Sequence, residues 1–448
     1  MDSSCGPDDY QHTSTTVKLQ KRLAPAVTLI GLFLASCASS PKDALLVPSR
    51  ETHGYLSLLS PAVIGLFMQM DTLDSVGYTA WRKARLEDLV DVIRVPVDFT
   101  AHLPEGGTER QSGVIYLPAL RQGTPRAVTW VVFLKGSEFL RDAVPSRGKA
   151  VETPLMELLA GMGFAVWAPD YAGMGNGAGV QEYGVPASLA ASALDGLAAA
   201  RTWLSGAGAR GEEKSSETGR YAIIGYSEGG VAALAALQAA TRGLIPVPGL
   251  TLMAAYPMAA LLNLCTGPDM GPEYEIFFAI GWARAYPAKV RLQDILLPRI
   301  IEKVVPLFDG KHSGDDINNA IAFTVGKPLA DVQAGDIYTP EYLQALARNP
   351  GSVPYYQVRI AHALDRWMPP VEIPIVLAAT PEDTVISFSQ IEDYYDRVKE
   401  HDPATDITLI RLAAGTHALG AVEGFLYAIR DLDRREAGCR PDQVDSLR

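Results

Sequence analysis

Residues 220–243, RYAIIGYSEGGVAALAALQAATRG, constrain the fold of this chain more than any other stretch. Arg220–Gly225 is a short strand-like run, Gly225-Tyr226-Ser227-Glu228-Gly229 turns sharply, and Gly230–Arg242 is rich in Ala and Leu, as a helix would be. A glycine two residues to each side of a serine removes the Cβ atoms that would crowd a strand against the helix that follows it. The serine can then sit on a strained strand-to-helix turn, its hydroxyl exposed above a helix N-terminus. G-x-S-x-G is by itself a weak pattern, equally suited to a glycine-rich turn with a surface serine. Whether Ser227 is a nucleophile depends on what the rest of the chain supplies.

The flanking sequence alternates. Val92–Thr100 and Glu109–Leu117 alternate in strand fashion around a turn at Pro104–Gly107, and Ala127–Leu134 is a continuous apolar run typical of a buried central strand. Helix over Val151–Met162, strand over Phe164–Pro169, helix over Ala187–Trp203, the strand and helix around Ser227, and strand over Leu250–Tyr256 follow in turn. That order predicts an α/β fold with a mostly parallel sheet covered by helices. Gly206–Gly219 is small, charged and loop-like. From Pro257 the alternation stops for about 110 residues of helical pieces, including one over Leu292–Leu307 and one over Pro354–Trp367. An insertion of that size is expected to be a helical cap, placed after the sixth strand, rather than a loop. Strand over Ile373–Thr380, helix over Ser389–Lys399, strand over Ile407–Ala413 and a final helix near Leu419–Arg434 resume the pattern. The expected organisation is a leader at 1–36, an anchor and tether at 37–60, core at 61–256 opening with two short helices, a cap at 257–370 and the rest of the core at 371–448.

Catalytic groups of a parallel sheet collect at the C-terminal ends of its strands. The loop after 373–380 reads Pro381-Glu382-Asp383-Thr384-Val385, and the loop after 407–413 holds His417. A serine hydroxyl needs an imidazole to take its proton, and the imidazole needs a carboxylate to fix its tautomer. The order Ser227, Asp383, His417 meets that need, with Glu382 as the alternative acid. An oxyanion would be met by the N–H of Glu228, the residue after the serine, and by the N–H of Ser137 in the loop Lys135-Gly136-Ser137-Glu138. Gly173–Ala178 fits the dinucleotide pattern G-x-G-x-x-G/A, but no helix opens on these glycines and no acid ends a following strand, so structural glycines and a structural Asp170 are expected. No metal or nucleotide cofactor is implied.

A net charge of −12 argues against nucleic acid as a partner. Lys18, Lys21 and Arg22 precede the apolar run Leu23–Ala35, which leads into Leu34-Ala35-Ser36-Cys37. This pattern fits a secretory leader and is short for a membrane span, and its ending resembles a bacterial lipobox. Cleavage there would leave a lipid-modified Cys37 as membrane anchor, placing the protein in the cell envelope, as an outer-membrane lipoprotein or in periplasmic or secreted form. Cys265 and Cys439 would then be open to pairing or remain thiols.

Taken together, Lys135–Ser137 with Asp142–Ser146, Pro169–Gly175, Gly225–Gly230, the D-x-V loop and Gly415–Gly420 resemble the bacterial and fungal secreted lipases and esterases of the α/β-hydrolase fold, the group similar to Candida lipase A. The resemblance implies hydrolysis of ester or acylglycerol substrates through a serine acyl-enzyme formed by Ser227, Asp383 and His417. Peptide hydrolysis, acyl transfer, or a non-catalytic envelope role on the same scaffold are the alternatives. One departure stands out: that family usually carries histidine before the glycine of its oxyanion loop, where this chain has Lys135. Within the cap, Phe277, Phe278, Trp282, Tyr286, Leu296, Leu297 and Phe308 suit either an acyl-binding wall or the cap's own core.

Overall fold

The computed structural model describes residues 51–53, 89–119, 127–206, 216–263 and 271–438. The leader, Cys37, the helices expected before Leu89, and both Cys265 and Cys439 lie outside the described residues.

Among the described residues, nine strands form one sheet: β1 (Glu51–His53), β2 (Val92–His102), β3 (Thr108–Pro118), β4 (Ala127–Leu134), β5 (Ala165–Pro169), β6 (Ser216–Tyr226), β7 (Thr251–Met258), β8 (Ile375–Ala379) and β9 (Ile407–Arg411). They lie in the order β1-β2-β3-β5-β4-β6-β7-β8-β9. The first three join antiparallel, and every pairing from β5 to β9 is parallel. β4 sits at the reversal of strand order, and the run from Val128 to Leu134 is buried. Both its faces are covered by helices, which is why the sequence there shows no polar alternation. The helices are α1 (Thr153–Gly161), α2 (Pro186–Ser205), α3 (Glu228–Thr241), α4 (Pro272–Ala285), α5 (Pro298–Lys303), α6 (Gly314–Val325), α7 (Ala334–Ile337), α8 (Pro340–Arg348), α9 (Pro354–Ala361), α10 (Phe388–His401) and α11 (His417–Glu436).

Local differences from the sequence reading have physical causes. Residues 51–53 pair with β2 and form the edge of the sheet, so part of the expected tether belongs to it. The helical excursion follows β7, which is the sixth of the strands read from the sequence, β1 being added ahead of them. Residues 216–219 continue β6 beside Ala127 and Val128 instead of remaining loop. The helix expected over Leu292–Leu307 is broken into short pieces, with Pro298 and Pro306 each opening a new one. The helix from Pro354 ends at Ala361, not Trp367.

The helical segment α4–α9 runs between β7 and β8 and is clasped to the core by Arg284. Its guanidinium pairs with Glu109 at 2.6 Å and Glu182 at 3.3 Å and donates to the carbonyls of Ala178, at 2.7 Å, and Val180.

Candidate active site

β6 ends at Tyr226 and α3 begins at Glu228, leaving Ser227 alone on the turn with φ 59° and ψ −121°. A serine held at that φ is strained, and the neighbouring glycines show what holds it there. A Cβ on Gly225 would lie 2.0 Å from the Gly229 carbonyl oxygen, and one on Gly229 would lie 2.1 Å from that of Leu134. The Ser227 N–H donates to Met258 O at 3.0 Å, fixing the turn to the end of β7.

Asp383 follows β8 and His417 opens α11, so both stand at the same sheet edge as Ser227. The Thr416 hydroxyl caps α11 by accepting from Leu419 N–H at 3.3 Å, which fixes the entry of His417. His417 Nδ1 lies 2.7 Å from Asp383 Oδ2. The other Asp383 oxygen accepts the N–H groups of Val385 at 2.8 Å and Ile386 at 2.9 Å. Burial pushes the Asp383 carboxyl up. The His417 hydrogen bond, the two N–H donors and the His417 charge outweigh it and hold the group below the ordinary carboxylate range. Its side chain is wholly buried, whereas neighbouring Glu382 is exposed. Of the two candidate acids, Asp383 is the one paired with the imidazole. Ser227 Oγ makes no hydrogen bond among the described residues, so its contact with His417 is not closed in this conformation. Hydroxyl–imidazole contacts of this kind often tighten only with substrate bound.

Tyr226 carries a role the sequence reading missed. Its ring lies 5.1 Å from the His417 ring, and a Cβ on Gly420 would come within 2.7 Å of its hydroxyl. The glycine lets α11 press His417 against the turn that carries Ser227.

The loop after β4 is held at each residue. Lys135 O accepts from Tyr171 Oη at 2.9 Å, Gly136 N–H donates to Glu152 Oε1 at 2.8 Å, and Ser137 Oγ shares a hydrogen bond with Tyr183 Oη at 2.6 Å. The N–H groups of Ser137 and Glu228 have no acceptor among the described residues. Lys135 is buried, its Nζ donating to Gly136 O at 3.2 Å and lying 4.6 Å from the centre of the Tyr171 ring.

Glu228 is buried as well. Its Oε1 accepts from Gln181 Nε2 at 2.8 Å and Gly184 N–H at 3.4 Å, and its Oε2 has no partner. Burial lifts the carboxyl to about 7, against the pull of the Lys135 charge and the Gly184 and Gln181 hydrogen bonds and with a further push from Glu152. Asp170 has the structural place expected of it. Its carboxylate accepts from Ser112 Oγ at 2.6 Å and Ser146 N–H at 2.9 Å, and the first helix after the Gly173–Ala178 loop begins only at Pro186.

Of the cap residues singled out in the sequence, Trp282 and Tyr286 stack on each other and make tilted ring contacts with His362 within the cap. Phe277 and Phe308 instead meet Phe139 of the core and line a pocket of about 10 Å³ that also reaches Gln181. That is room for about one water, so the cap is packed down on this side.

No protein-family model matches the chain, and no curated protein sequence matches it. Solved structures do. The rice cell wall degrading esterase LipA from Xanthomonas oryzae superposes with a TM-score of 0.61 at 20% identity, covering 79% of this chain and 93% of that one. A hydrolase of Legionella pneumophila, its function described only as putative, gives 0.62 at 18% identity over 78% of this chain and 92% of its own. Candida antarctica lipase A gives 0.57 at 14% identity over 78% of each chain. The chain has the α/β-hydrolase fold.

Proposed function

We propose that this protein is a serine carboxylic-ester hydrolase. The observation that carries the reading is the Asp383–His417 pair at the same sheet edge as a serine on a strained turn that only glycine neighbours permit. In this reading Ser227 Oγ attacks the ester carbonyl while His417 takes its proton, and Asp383 steadies the imidazolium. The negative charge on the carbonyl oxygen is met by the N–H groups of Glu228 and Ser137. Collapse of the tetrahedral species expels the alcohol, which takes the proton from His417. Water then repeats the sequence on the acyl-enzyme, releasing the acid and restoring the serine. Phe139, two residues beyond Ser137, and its ring partners Phe277 and Phe308 are read as the acyl-binding wall, which makes acylglycerols and simple esters of short acyl chains the proposed substrates. The leader and Cys37 extend the reading to a lipid-anchored enzyme of the cell envelope.

Purified protein should hydrolyse p-nitrophenyl butyrate and be labelled at Ser227 by a fluorophosphonate. Ser227→Ala should abolish both while melting at the temperature of the parent protein. Undiminished turnover in that variant would remove Ser227 from the mechanism.

A further inference from the structure

The segment Gln181–Gly184 holds, from one short piece of chain, the side chains of both residues whose N–H groups form the proposed oxyanion site. Its two ends hold Glu228: Gln181 Nε2 donates at 2.8 Å and Gly184 N–H at 3.4 Å to the same carboxyl oxygen. Between them, Tyr183 Oη bonds Ser137 Oγ at 2.6 Å. The Tyr183 ring is buried and lies flat on Phe277 of the cap helix α4, with centroids 4.4 Å apart and planes 4° from parallel. Phe277 stacks in turn on Phe139, two residues beyond Ser137. The circuit Ser137–Tyr183–Phe277–Phe139 therefore closes on itself through the oxyanion loop.

The cap also presses on the backbone of this segment. A Cβ on Gly281 of α4 would lie 2.4 Å from Tyr183 N, and one on Gly184 would lie 2.1 Å from the Phe278 ring. Close approach of helix to chain is possible because both positions are glycine. Burial, with the charge of Glu228, pushes the Tyr183 phenol well above its ordinary value, so it keeps its proton for the bond to Ser137.

We propose that Gln181–Gly184 is a clamp that sets the spacing of the two oxyanion donors and makes it depend on the seating of the cap, with Tyr183 the positioning residue that ties Ser137 to α4. The proposal rests on the esterase reading for its kinetic consequence, though not for the coupling itself. Tyr183 acts through Ser137 and need not touch substrate.

Tyr183→Phe keeps the stacked ring and removes only the hydroxyl. With p-nitrophenyl butyrate it should lower kcat about tenfold with KM nearly unchanged, the signature of support lost mainly in the transition state. Ser137→Ala should do the same, and the double variant should be no worse than either single one, because both remove one interaction. Amide hydrogen exchange should quicken at residues 135–140 in Tyr183→Phe while the rest of the sheet exchanges as before. Additive losses in the double variant, or parental kcat together with parental exchange at 135–140, would overturn the clamp. If the parent protein turns over no ester, the esterase reading fails by itself. The exchange experiment then decides the coupling: quickened exchange supports it, unchanged exchange ends it.

Discussion

Replacing Glu228 by glutamine isolates the cost of a carboxyl buried beside the proposed nucleophile. Burial raises this group from its ordinary 4.5 to about 7, although Lys135, Gly184 and Gln181 favour the charged form. Below pH 4.5 the folded and unfolded chains both hold the proton, so the group contributes no pH dependence there. Between 4.5 and about 7 the unfolded chain releases it while the folded chain keeps it. Stability therefore falls as pH rises through that window and levels off above it. At about 1.4 kcal/mol per unit, the loss amounts to about 3 kcal/mol. Glutamine is neutral throughout and can still accept from Gln181 through its amide oxygen. Urea unfolding from about pH 4 to about pH 8 should show the Glu228→Gln protein gaining about 3 kcal/mol on the parent across the window, then holding steady. Glu157, which burial also lifts to about 7, titrates in the same range but is common to both proteins and cancels in the difference. Lys135→Met, by removing the charge that favours ionised Glu228, should carry the parent's decline to higher pH. A difference flat in pH would refute the reasoning, since it would mean that Glu228 holds its proton no longer in the folded chain than in the unfolded one.

Asp383→Asn should leave the fold intact and lower kcat by about 10³–10⁴, because the amide no longer fixes the imidazole tautomer; esterase assays beside circular dichroism check it. The same change should flatten the acid limb of stability, since a carboxyl held below its ordinary 3.8 contributes above that value and loses its contribution as pH falls through the folded one. Phe277→Ala removes a ring stacked on both Tyr183 and Phe139 and should cost about 3–5 kcal/mol in urea unfolding. In a p-nitrophenyl ester series the space it leaves should move the preferred acyl length upward.

What the sequence makes legible is what is local or periodic. The Ser227 turn shows because two glycines and a change from strand to helix pattern fall within one short stretch. Asp383 and His417 show because each directly follows a strand whose pattern is itself readable. Tyr183 and Gln181 do not show. Their partners come from the loop after β4, from α3 and from α4, and nothing within Gln181–Gly184 marks it apart from other turn sequence. β1 was missed for a related reason: Glu51-Thr52-His53 has no apolar alternation, and its strand character comes from pairing with β2. The helix expected over Leu292–Leu307 breaks because Pro298 and Pro306 lack the N–H that an interior helical position donates, a cost that apolar spacing does not register.

Lys135 has a cause that neither position nor motif reveals. In the sequence it stands as a lone departure from the histidine usual in the family the chain resembles. In the fold its charge acts on Glu138, Asp170 and Glu228, all three of them carboxyls that burial pushes upward. The lysine Nζ lies 4.6 Å from the centre of the Tyr171 ring and donates to Gly136 O, which holds it inside the loop. Lysine at 135 and glutamate at 228 therefore belong together: the Lys135 charge favours the ionised form of an acid that burial pushes the other way, and the loop after β4 is the element that supplies it.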